Sequence, residues 1–102
     1  MMKNFQNLIL ANIKKIKCAD VYEAKKFHSF LSYNVNNKVE IKSVLSIIDN
    51  EIVVKLTDNS AHSITFDNYE NAQMASSLIN DINSGEIIIS RLFILENEIT
   101  IE

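Results

Sequence analysis

The sequence predicts an α+β fold: two amino-terminal helices, then a five-stranded antiparallel sheet in the order β-β-β-α-β-β, with helices packed on at least one face. Three observations carry that expectation. Three runs between Val39 and Phe66 alternate apolar and polar residues, the residues from Tyr69 to Ile82 repeat their apolar positions at three and four, and two further apolar runs flank Glu96-Asn97.

In the first run Val39, Ile41, Ser43, Leu45 and Ile47 occupy one face of a strand, with Glu40, Lys42 and Ser46 among the intervening positions. Ile52, Val54 and Leu56 repeat the pattern, as do His62, Ile64 and Phe66. Register follows from the turns, because a slip of one residue would send a whole apolar set into water. A two-residue loop at Asp49-Asn50 pairs Ile47 with Ile52 and Leu45 with Val54, and Asn tolerates the positive φ that such loops need. A three-residue loop at Asp58-Asn59-Ser60 pairs Leu56 with His62, Val54 with Ile64 and Ile52 with Phe66. A two-residue loop there would set Leu56 opposite Ala61 and break the apolar face.

Asp67 and Glu70 have the spacing of a capping box, which predicts a helix starting near Asn68. Ala72, Ala75, Leu78, Ile79 and Ile82 form its buried stripe, with Tyr69 alongside, and Gly85 is placed to close it in the left-handed region. Nearer the amino terminus, Phe5, Leu8, Ile9, Ile13 and Ile16 recur at helical spacing beside Lys14, Lys15 and Lys17, which predicts an amphipathic helix over 3–17. Asp20 with Glu23 repeats the capping spacing before Val21, Ala24, Phe27, Phe30 and Leu31, predicting a second helix to about Tyr33. Asn34 to Asn37 is the connection to the sheet. The run Ile87 to Leu95 is apolar on both faces, as suits a strand near the middle of a sheet. A turn at Glu96-Asn97 pairs Ile94 with Ile99 and Leu92 with Ile101.

A chain of 102 residues with 47% hydrophobic and 23% charged residues predicts one globular domain, and no internal repeat of 20 to 50 residues is apparent. No apolar run approaches membrane-helix length, and the early Gln6, Asn7 and lysines do not read as a signal peptide. A single cysteine, Cys18, forms no internal disulfide, so a reducing, cytoplasmic setting is expected. Sixteen Ile, thirteen Asn and nine Lys against one Arg and one Gly point to A/T-rich coding, which reduces the functional weight of the Asn and Lys counts.

Chemistry is sparse. His28 and His62 have no further ligand at metal spacing, one glycine cannot build a phosphate loop, and the acidic turns lack the glycine and terminal Glu of a calcium loop. No serine has a His or Asp at a spacing that marks it as a nucleophile. Cys18 reads as a small structural residue, although Lys17 beside it could depress its pKa. No metal, no cofactor and no enzymatic activity are expected.

Charge is the remaining signal. Residues 1–48 carry eight Lys against three carboxylates, a net +5, and residues 49–102 carry ten carboxylates against Lys55 and Arg91, a net −8. Such segregation suits electrostatic steering toward a charged partner. The expected function is therefore a small inhibitor or immunity-type protein that neutralises a basic protein, such as a toxin nuclease, with Glu70, Asp81, Glu96 and Glu98 as the contact residues. The alternatives are a scaffold domain, homodimeric through an apolar edge, and a nucleic-acid-binding module using the lysines of the first two helices. The absence of arginine from that surface disfavours nucleic acid, and Asn4, Asn7 and Asn12 make a poor face for membrane insertion.

Overall fold

The computed structural model describes residues 13–32 and 39–102. Its elements in chain order are β1 (Lys14–Lys17), α1 (Val21–Ser32), β2 (Ile41–Ile48), β3 (Glu51–Leu56), β4 (Ala61–Thr65), α2 (Tyr69–Asn83), β5 (Leu92–Leu95) and β6 (Glu98–Ile101). The class is α+β, but the five-stranded sheet is not formed. Two three-stranded antiparallel sheets take its place, one ordered β1-β6-β5 and the other β2-β3-β4. Nor do both helices precede the strands. Lys14–Lys17, expected as the end of a helix, is a strand in which only Ile16 is fully buried, opposite Ile99. The rest of that expected helix, 3–12, and the connection at Asn34 to Asn37 lie outside the described residues.

The strand order reveals a repeat that the sequence hides. Strand, helix, strand, strand occurs twice, as β1-α1-β2-β3 and as β4-α2-β5-β6. Each hairpin takes its third strand from the other repeat: β1 joins β5-β6, and β4 joins β2-β3. The two first strands meet where each ends, in an antiparallel bridge between Cys18 and Phe66. There Ala19 N–H donates to Thr65 O and Asp67 N–H donates to Lys17 O, both at 3.0 Å.

Matching bonds tie each crossing residue to a hairpin turn. Cys18 N–H donates to Asn97 O and Phe66 N–H to Asn50 O, both at 2.7 Å. The side-chain amides return the contact, Asn97 Nδ2 donating to Cys18 O and Asn50 Nδ2 to Phe66 O, both at 2.8 Å. The helices repeat the exchange: Glu23 Oε1 accepts from Thr65 N–H at 2.7 Å and Asn71 Oδ1 from Lys17 N–H at 2.8 Å. Every one of these bonds has a counterpart in the other repeat. The fold thus has a pseudo-twofold axis through the Cys18–Phe66 bridge.

Both hairpin turns have the expected two-residue length, and Ile47 faces Ile52 and Ile94 faces Ile99 as the alternation requires. Positive φ falls on Asp49 and Glu96 rather than on the asparagines, whose side chains are committed to the crossing. Toward the start of β2, irregularities between Ile41 and Ser43 and between Val44 and Ser46 bring Val44, not Leu45, opposite Val54 and leave Leu45 exposed. A bulge sets two residues against one, which strict alternation does not anticipate. The loop between β3 and β4 has three residues as expected but sits one position earlier, at Thr57-Asp58-Asn59, with Leu56 N–H bonded to Ser60 O. Ile52 therefore faces Ile64 and Val54 faces His62, a shift of two that keeps every side chain on its expected face. β5 begins only at Leu92 and is an edge strand, because β6 takes the middle position.

Helix limits follow local chemistry. Asp20 Oδ1 accepts from Glu23 N–H at 2.8 Å and opens α1. The cap of α2 is Asn68, not Asp67: Asn68 Oδ1 accepts from Asn71 N–H at 2.9 Å, whereas the backbone of Asp67 is engaged in the crossing. At the other end Gly85, at φ +84, lets its own N–H reach Ile82 O and that of Glu86 reach Asp81 O. That pair of bonds is the Schellman arrangement expected of a left-handed glycine.

The buried faces form one apolar cluster. Ala24, Phe27, Phe30 and Leu31 from α1 and Ala72, Ala75, Leu78 and Ile79 from α2 occupy equivalent positions and meet Ile16, Ile52, Val54, Ile64, Ile99 and Ile101 of the sheets. Phe27 meets Phe66 edge to face, with ring centroids 5.3 Å apart. Because Asn68 Oδ1 is the acceptor that caps α2, Asn68→Ala is expected to lower stability by about 1 kcal/mol. Asp67→Ala, whose backbone bond survives the change, should be close to neutral in the same denaturant titration.

Candidate functional site

Helix α2 turns Glu70, Gln73, Met74, Ser77 and Asp81 toward an open cleft whose other wall includes Ile47 and Lys14. These positions recur at three and four along the helix, so they share one face. The cleft encloses about 520 Å³. A carboxylate stands at each end of the helical stripe, Glu70 exposed and Asp81 half-buried, with Met74 between them. Eleven residues of helix separate the two acids by roughly 16 Å. A smaller recess of about 330 Å³ lies on the far side of Lys14 and Leu78, lined chiefly by Ile13, Ile87, Ile88 and Ile101.

The four acids expected to act together are thus divided. Glu70 and Asp81 line one cleft, while Glu96 and Glu98 sit at the β5–β6 turn and border neither cavity. Glu98 is half-buried and pairs in register with Lys17. Exchange of strands between the repeats has set a basic strand, with Lys14, Lys15 and Lys17, against the acidic last hairpin. The charge separation along the sequence therefore does not become a separation between two sheets. It also removes the expected lysine-bearing first helix over this segment. Lys26, on α1, is engaged with Glu23 at 3.1 Å and lies 5.6 Å from the centre of the Tyr22 ring.

One constellation escaped the sequence reading. Asp58, Ser60 and His62 stand at alternate positions leading into β4, and the turn draws them together: Ser60 Oγ–H and N–H both donate to Asp58 Oδ1, and Ser60 Oγ lies 3.0 Å from His62 Nε2. Spacing by two at a strand end was the available signal. The polarity is the reverse of a nucleophilic site, where the histidine must accept the serine proton. Here the Ser60 hydroxyl donates to Asp58, so the His62 tautomer with its proton on Nε2 completes the contact by donating to Ser60 Oγ. His62, on the inward face as expected, reaches the exposed rim and stacks its ring obliquely on Phe30 at 5.7 Å. This is a turn lock.

Cys18 is fully buried, and its thiol is pushed up to about 12 by burial first and then by the nearby charges of Glu23 and Asp20. Lys17 does not activate it. Among the described residues, no group of three or more His, Cys, Asp or Glu side chains is placed to hold a metal ion, and no helix is long and apolar enough to cross a membrane. No protein-family model, no curated protein and no solved structure matches the chain.

Two expectations follow. The Ser60 hydroxyl, then the Ser60 amide, hold the Asp58 carboxyl below its ordinary value of 3.8. A depressed carboxylate favours the folded state above that ordinary value, and the contribution is lost as pH falls through the lowered one. NMR titration of the Asp58 carboxyl should show the depressed midpoint, and Ser60→Ala should return it toward 3.8. The Cys18 thiol should resist a maleimide reagent in the folded protein at neutral pH and react at once in denaturant, as followed by mass spectrometry.

Proposed function

We propose that the chain is a non-enzymatic protein-binding protein of the inhibitor or immunity type, which receives a basic segment of its partner along the α2 cleft. The observation that supports this reading is the cleft itself, where Glu70 and Asp81 bracket a mixed stretch in which Met74, Ile47 and Leu78 stand among Gln73, Ser76 and Ser77. Carboxylates spaced along a helix suit cations spaced along a partner's helix or strand, Met74 and Ile47 supply apolar area that dehydrates on contact, and Gln73 and Ser77 offer hydrogen bonds. Lys14 is the one cation among the described lining residues and opposes such a partner. Glu96 and Glu98, at the far hairpin, contribute to the long-range field rather than to the cleft.

An oligomerising scaffold is the second reading, favoured by the exposed apolar edge of β5 described below. The decisive measurement is association kinetics with a basic protein captured from the native host. Glu70→Lys with Asp81→Lys should slow association at low salt by roughly tenfold and flatten its salt dependence. Lys14→Glu should act in the opposite direction. An acidic partner, or an association rate indifferent to salt and to all three substitutions, would overturn the proposal.

A further inference from the structure

An edge strand leaves a row of backbone N–H and C=O groups without a neighbour, and proteins ordinarily close such edges with charge, bulges or side-chain contacts. Two three-stranded sheets have four edges, β1, β5, β2 and β4. Three of them are closed. On β1 three of four residues are lysine, and the outward N–H of Lys17 is taken by Asn71 Oδ1. β2 carries two register shifts, and Asn83 Nδ2 donates to the carbonyls of Ile41 and Lys42 at 3.0 and 3.2 Å. β4 has His62, Ser63 and Thr65, with the outward Thr65 N–H taken by Glu23 Oε1.

Among the described residues, β5 has none of these devices. Its sequence is Leu-Phe-Ile-Leu, its register against β6 is unbroken, and Phe93, Ile94 and Leu95 are 47%, 37% and 74% exposed. At equivalent places in the two repeats, the described residues therefore blunt one hairpin edge and leave the other flat and apolar.

We infer that the β5 edge pairs with the β5 edge of a second copy of this chain, antiparallel across a twofold axis, joining two three-stranded sheets into one of six strands. The choice of a second copy rests on charge. Arg91 and Glu96 bracket the apolar run, both exposed and of opposite sign. Antiparallel self-pairing brings each Arg91 to the Glu96 end of the other copy, whereas a parallel arrangement would set like charge beside like.

The register follows from backbone phase. Arg91 exchanges both hydrogen bonds with Glu102, at 3.0 Å each, so residues 91, 93 and 95 turn their polar groups toward β6 and residues 92 and 94 turn theirs outward. Those outward groups satisfy one another when Leu92 faces Ile94 of the second copy. Phe93 then meets its own equivalent on the axis. Arg91 faces Leu95 of the second copy, where its aliphatic stem covers that exposed side chain and its guanidinium reaches the adjacent Glu96.

Sedimentation equilibrium over a wide concentration range tests this directly. The wild-type mass should rise from one chain toward two, and Phe93→Lys should hold it at one while the circular dichroism spectrum stays unchanged. Arg91→Glu and Glu96→Arg should each weaken self-association, by roughly tenfold, since each creates two like-charge contacts across the axis. An equal mixture of those two variants, or the double variant alone, should recover it, because opposite charges then meet again. A single-chain mass at every concentration for the wild type would overturn the inference and assign the edge to another segment or partner. So would charge variants that associate like the wild type, or a mixture that recovers nothing.

Discussion

The fold depends on the antiparallel meeting of Cys18 and Phe66. At that point two chain segments that leave different sheets must satisfy their buried backbone groups away from water, which costs free energy wherever it fails. They do so through each other on one side and through Asn50 or Asn97 on the other. Once that junction forms, each first strand is committed to the opposite hairpin. The helices are then brought over the sheets, with Glu23 and Asn71 tying each helix start to the first strand of the other repeat.

Pseudo-symmetry is kept in the backbone and broken in volume. Where one repeat has Cys18 on its strand and Phe27 on its helix, the other has Phe66 and Ala75 at the matching positions. The two large residues pack together as Phe27 on Phe66. Interior packing near the density of an organic crystal leaves no room for four large side chains at one centre, so small residues on one side are the counterpart of rings on the other. Charge is broken in the same way. The face of α1 with Lys25 and Lys26 corresponds to the face of α2 with Gln73 and Met74, and it is α2 that carries Glu70 and Asp81. The difference between the repeats thus lies on the helix surfaces, while strand exchange mixes basic and acidic residues within the sheet that holds β1 and β6.

Much of the local structure was legible in the residues. Alternation gave the three central strands and both two-residue turns, helical spacing gave Val21–Ser32 and Tyr69–Asn83, and Gly85 marked the second helix's end. The strand at Lys14–Lys17 was not, because one buried Ile between lysines fits a helix or a strand equally well until the hairpin that receives it is known. Five strands in one sheet was the economical reading for the same reason: alternation orders residues within a strand and says nothing of which hairpin a strand joins. The repeat did leave a trace. Ile47-Ile-Asp-Asn-Glu-Ile52 returns as Ile94-Leu-Glu-Asn-Glu-Ile99, whereas the strand and helix segments 16–32 and 64–80 share only Ile16, Ala24 and Ser29 with Ile64, Ala72 and Ser77. Of the candidate site, Glu70 and Asp81 could be placed on one helix face from spacing alone, but their cleft could not, because Ile47 and Lys14 reach it through tertiary packing.

Exchange of strands also sets the order in which the molecule can be completed during synthesis. The strand at 14–17 leaves the ribosome before residues 92–101 and waits for them, since among the described residues its neighbour in the sheet is β6. Contacts of such long sequence separation close large loops before any burial rewards them, which slows folding. In the interval β2 and β3 can zip locally and accept β4, so half of the molecule has a sheet while the other half has only a loose strand. The second hairpin, arriving after the first, is what closes the apolar interior that the earlier elements leave open.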